Sequence, residues 1–160
     1  MDRFPRMFAR CLILAVVYSP MSLPSASEAS PTSPFDMVGG ACTDAWADDA
    51  GRNGRQELKS GNYGEAVLAY TKAGAALKEC DERLRPGERR DHFHYRSLEM
   101  YGGAAAAASF EAPNVCHTTL LSVADDAQKL LRSRTLSAED RRLTELLQRR
   151  ARTFLTQACP

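Results

Sequence analysis

From about residue 41 onward, apolar side chains return every three or four positions, and the runs are cut by Gly and Pro. A period near 3.6 places such side chains on one face of an α-helix; a half-buried strand needs period two, and no stretch here alternates convincingly that way. The spacing predicts helices over residues 41–60, 63–80, 91–110 and 114–132, and a fifth beginning at Ser137. Gly61-Asn62, the 84–90 stretch with Pro86-Gly87, and Ala112-Pro113-Asn114 are the breaks. In the fourth helix Cys116, Leu120, Val123, Ala127 and Leu130 share a stripe, with Asp125, Asp126 and Lys129 opposite. The fifth opens on Ser137-Ala138-Glu139-Asp140, a hydroxyl followed by acids, which suits the bare N–H groups and the positive end of a helix. Its stripe is Leu143, Leu147, Ala151 and Phe154; Arg141, Arg142 and Arg149 fall outside it and read as a solvated face. The expected fold class is all-α, five antiparallel helices. The third helix carries Gly102-Gly103 and then an Ala run to Ala108. Each Gly costs a helix about 1 kcal/mol relative to Ala, so close packing of neighbours on both sides is expected to offset it, with this helix at the centre.

The first 29 residues read as an address. Arg3, Arg6 and Arg10 precede an unbroken apolar run over residues 11–18, and Ser27-Glu28-Ala29 gives a small-x-small end. That is the pattern of a secretory signal peptide, residues 1–29, cut after Ala29. The run is far below the ~20 apolar residues needed to span a bilayer, and no membrane span is expected after cleavage. Residues 30–40 hold two Pro and two Gly without a period, a flexible lead-in; residues 41–160 are expected to form a single helical domain. The full chain of 160 residues has 21 bases and 20 acids; the leader takes three Arg and two acids with it, leaving 18 of each. A chain without net charge or basic block does not advertise nucleic acid as a partner.

Of five cysteines, Cys11 leaves with the leader. Cys42, Cys80, Cys116 and Cys159 remain, an even count that in an exported chain points to two disulfides, with three pairings open. They stand alone at intervals near 40, without Cys-x-x-Cys pairs, so neither zinc nor another metal is expected. The expected location is outside the cytoplasm, periplasmic or extracellular.

Residues 54–77, GRQELKSGNYGEAVLAYTKAGAAL, resemble a tetratricopeptide repeat, a helix-turn-helix unit of roughly 34 residues. Gly54 falls at the small residue where the two helices cross, Gly61-Asn62-Tyr63 at the Gly-x-Tyr turn, and Ala66 at the close inter-helix contact. Tyr70 and Ala73 fall at the aromatic and small positions of the second helix. The tryptophan-like position falls on Ala50, the closing proline is absent after Leu77, and a second unit over 96–131 is degenerate. The resemblance implies a short helical stack with an antiparallel hairpin turning at Gly61. Cys42 and Cys80, each 19 residues from Gly61, then share the open end, about 28 Å from the turn at 1.5 Å per residue. A Cys42–Cys80 bond follows from that hairpin, and Cys116 and Cys159 are left to pair.

By the same resemblance, such stacks bind proteins or peptides along one face, with Asp48, Arg55, Leu58 and Lys59 on the first helix and Arg96 and Glu99 on the third. The expected function is an exported protein- or peptide-binding adaptor or scaffold, not an enzyme, without a cofactor. No phosphate loop, HExxH, EF-hand or Gly-x-Ser-x-Gly pattern occurs. The alternative is a small secreted enzyme or enzyme inhibitor using the His92 and His94 region. His92, His94 and His117 gathered in one pocket with a carboxylate would favour chemistry; scattered histidines would favour binding.

Overall fold

The computed structural model describes residues 42–159. The expected signal peptide 1–29, the expected lead-in 30–40 and Ala41 lie outside the described residues. Thr43 holds extended backbone while its hydroxyl accepts the Trp46 N–H at 3.4 Å, and α1 (Asp44–Lys59) starts there. It ends at Ser60 and Gly61, whose φ of 78° lies where L side chains clash with their own carbonyls. The next helix, α2 (Tyr63–Arg83), runs three residues past the expected end at Cys80, because Asp81 is buried at 6% exposure and keeps the inward stripe going. Pro86 removes a backbone donor and disfavours helix at Arg85, so the chain breaks there.

The third helix, α3 (Glu88–Ala108), resumes right after Gly87, three residues earlier than the spacing predicts, with Glu88 and Asp91 in its first turn. The fourth, α4 (Pro113–Leu130), begins on the proline expected to act as a stop. The first turn has no use for that N–H, so Pro113 fits there without cost. Ser137 caps α5 (Ala138–Gln157), its Oγ accepting the Asp140 N–H at 3.0 Å.

The five helices pack sequentially antiparallel, and α3 touches all four others. Its small residues explain how. A Cβ at Gly103 would lie 2.8 Å from the Tyr70 ring of α2, and one at Gly54 of α1 would lie 2.7 Å from the same ring. Tyr70 therefore fills the space that two glycines leave. The relation is reversed further along, where the Tyr101 ring of α3 lies over Gly74 of α2, 3.1 Å from where a Cβ would stand. Ser97, buried in α3, donates to the Gly74 carbonyl at 2.8 Å.

Three apolar clusters make the core. One joins Ala47, Tyr70, Leu77, Phe93 and Met100, with Trp46 against it. A second joins Ala105, Leu120, Val123 and Ala151. The third joins Tyr95, Leu98, Leu130 and Leu136 under the α4–α5 connection. Two disulfides brace the ends. Cys42–Cys80 ties the start of α1 to α2, and Cys116–Cys159 ties α4 to the end of α5, with Cα separations of 5.7 and 5.8 Å. They fit a chain that folds in an oxidising compartment. No described helix is long and apolar enough to cross a membrane.

Candidate functional site

Residue 48 stands about one turn into α1 and residues 96 and 99 about two and three turns into α3, where the two helices run side by side. The Arg96 guanidinium meets Asp48 of α1 at 2.5 Å and faces Glu99 on its own helix, Nε to Oε2, at 3.5 Å. Its side chain is only 18% exposed. Arg96 Nε and Glu99 Oε2 are buried without a hydrogen-bond partner among the described residues. Burial alone would lower the Arg96 pKa; Glu99 and Asp48 outweigh it and push the pKa up. Tyr70, itself buried, lies near Arg55 and Glu99. Burial raises its pKa, Arg55 pulls it down and Glu99 adds to the rise. Of the six residues expected on this face, Asp48, Arg96 and Glu99 are thus joined and Arg55 lies beside Tyr70. Leu58 is half-buried and Lys59 exposed in the last turns of α1, and neither side chain makes a hydrogen bond or ion pair with the others. Next to Glu99, between α3 and α5, lies a mostly apolar hollow of about 300 Å³. Gly102, Gly103 and Ala106 form its floor, with Leu147, Phe154 and Arg150 along the α5 side.

The three histidines occupy three separate places. His92 lies between two aspartates, Nδ1 2.9 Å from Asp140 Oδ1 on α5 and Nε2 2.7 Å from Asp44 Oδ1 on α1. Two carboxylate acceptors need two N–H donors, so the imidazolium is the form that satisfies both. Burial alone would lower the His92 pKa, but the hydrogen bonds and charges of Asp140 and Asp44 outweigh it and raise the pKa. Asp140 is itself buried and accepts the Ser137 hydroxyl at 2.9 Å. His117 Nδ1 is 3.2 Å from the Cys159 carbonyl oxygen.

His94 faces the other side of α3. Its Nδ1 is 3.2 Å from Asp81 Oδ2, and the other Asp81 oxygen accepts from Arg90 Nε at 2.9 Å. His94 and Asp81 border a cleft of about 540 Å³ floored by α3 and walled by α2 and α4, with Leu98 and Val123 also in its lining. His94, Ser97 and Tyr101 line its floor at helical spacing, Lys78 stands on the α2 wall, and Thr119 and Ser122 stand on the α4 wall. No group of three or more His, Cys, Asp or Glu side chains among the described residues is placed to hold a metal ion.

Comparison of the chain with protein-family models, with curated proteins and with solved structures returns no match.

His92 and His94 were named only for the enzyme or inhibitor alternative, and neither the cleft nor the His92 link was expected. Both have a sequence signal of one kind. Asp81 and Asp140 are acids at positions where the helical period calls for apolar side chains, and a buried carboxylate requires a partner. The arginine pairs also divide. Arg141 is no solvated side chain: it donates to the Leu131 and Ser133 carbonyls at 2.6 and 2.8 Å and closes the end of α4. Arg142 and Arg149 are exposed as expected.

Proposed function

We propose that the protein is an exported binding module whose α1–α3–α5 face holds a peptide or a segment of a protein partner. The observation that carries this reading is the apolar hollow beside Gly102 and Gly103, with Glu99 on one side and Arg150 on the other. An apolar side chain of a partner would fill the hollow, and Arg55, Arg96, Glu99 and Arg150 would meet its polar groups. That division, an apolar anchor within a polar rim, is how binding surfaces usually share their energy. The residue resemblance of 54–77 to a tetratricopeptide repeat supports the same reading, since stacked helical units commonly present an extended binding face. So does the close crossing at Gly54 under Tyr70. The scatter of His92, His94 and His117 favours binding over an enzyme or inhibitor centred on the histidines.

Panning the mature protein against displayed random peptides tests this. Selected peptides are expected to carry an apolar anchor and to bind at least about tenfold more weakly to Arg55→Glu with Arg150→Glu, since each lost bond to a charged group is worth that much. Helicity and melting temperature should hold, both side chains being exposed. Peptides indifferent to the charge reversal, or no selected peptide at all, would sink the proposal.

A further inference from the structure

The cleft on the far side of α3, where Lys78, His94 and several hydroxyls stand among apolar side chains, has a chemistry of its own, and it does not rest on the reading above. Its acids are already engaged. Asp81 is bound by Arg90 and His94, and Asp126 at the rim is paired with Lys129 at 2.7 Å. Lys78 is exposed, and among the described residues no carboxylate lies within ion-pair distance of it. Tyr101, Thr119 and Ser122 bring hydroxyls that make no hydrogen bond to the described protein, whereas the Ser97 hydroxyl is spent on the Gly74 carbonyl. His94 Nδ1 faces Asp81 Oδ2 at 3.2 Å, which leaves Nε2 for a ligand. The cleft therefore offers one cation, one imidazole nitrogen and three hydroxyls that either donate or accept.

That set selects among ligands. A phosphate carries about two negative charges and would face two nearby aspartates with a single lysine to hold it. A neutral sugar would leave Lys78 unused. A sugar acid has one carboxylate for Lys78, hydroxyls to share a bond with His94 Nε2, and further hydroxyls to exchange bonds with Tyr101, Thr119 and Ser122. The volume, about 540 Å³, is within the range of small-molecule sites and ample for one sugar ring. We propose that the cleft between α2 and α4 binds a monocarboxylate sugar acid, with its carboxylate on Lys78 and a hydroxyl on His94.

Calorimetric titration of the intact, oxidised protein with D-galacturonate, D-galactose and inorganic phosphate tests the assignment. Galacturonate should bind saturably and galactose about tenfold or more weaker, the worth of one hydrogen bond to a charged group. Lys78→Gln should bring galacturonate down to the level of galactose and leave galactose unchanged, while His94→Ala should weaken both. Melting curves of the two variants should stay near the parent, because Lys78 is exposed and His94 half-buried. Absence of saturable galacturonate binding, phosphate held as tightly as galacturonate, or galacturonate binding untouched by Lys78→Gln would each overturn the proposal.

Discussion

At the scale of single residues, His92 has the most consequential surroundings. It hydrogen-bonds Asp44 of α1 and Asp140 of α5, each 48 residues away in the chain. Glu88 and Arg89 border the same recess, and the Tyr95 ring lies 6.4 Å off. The folded-state pKa of His92 is raised above its ordinary value of 6.5. A raised pKa means the folded state binds the proton more tightly than the unfolded chain does. The stabilisation is therefore complete below pH 6.5 and is lost as pH climbs through the folded value. Urea denaturation at pH 5.5 and at pH 8.5 should show the protein more stable at the lower pH by a margin that His92→Gln removes. A variant that keeps the full pH difference would show that other groups cause it. Tyr95, buried nearby, has its pKa pushed up to about 12, first by burial and then by Glu99, so it stays neutral throughout that window.

At the scale of helices, the close crossings depend on glycine. Gly103 is half-buried with the Tyr70 ring where a Cβ would go, and that ring is held on its other side by Gly54. Tyr70 is 5% exposed and has no open space to swing into. Gly103→Ala should gain helix propensity of about 1 kcal/mol but lose about 1–3 kcal/mol to overpacking, for a net loss of stability. Gly64→Ala is the contrast. It sits in the first turn of α2 with only Glu111 Oε2 nearby, at 3.8 Å, and should be neutral or stabilising. Thermal melts of the two variants check this, and an unchanged or higher melting temperature for Gly103→Ala would contradict it. The sequence made the small-residue run visible. Which aromatic ring enters each gap depends on the crossing angle, which no spacing within one helix contains.

For the molecule as a whole, both disulfides fasten terminal hairpins, and neither involves α3. They span 38 and 43 residues. Each is worth about 4 kcal/mol if its effect is mainly to restrict the unfolded chain, a model-dependent figure. Typical domains have about 5–15 kcal/mol in all. Cys116→Ser with Cys159→Ser should therefore fold with a much lower urea midpoint, and reduction of both bonds should remove most of the margin. Circular dichroism with and without dithiothreitol reads this directly; a melting temperature indifferent to reductant would show that helix packing alone carries the stability.

Much of this molecule is legible along the chain, because the information is local. Apolar period, Gly and Pro breaks and the Ser137 cap each act within one or two turns, so five helices could be read with end errors of a few residues. The errors have local causes as well: Pro113 serves as a helix start, and Asp81 continues a stripe that looked finished at Cys80. Part of the α1–α3 ion cluster was legible too, since Asp48, Arg96 and Glu99 were expected on one face and the structure joins them. Two acids at apolar-period positions, Asp81 and Asp140, were the sequence's only hint of the His92 link, the Asp81–His94 pair and the cleft; which partners they take was decided by tertiary structure. Their partners lie on different helices, and whether two helices converge or leave a cleft depends on side-chain volumes across the whole stack. A histidine two residues from another looks the same in sequence whether it locks three helices together, as His92 does, or borders an open cleft, as His94 does.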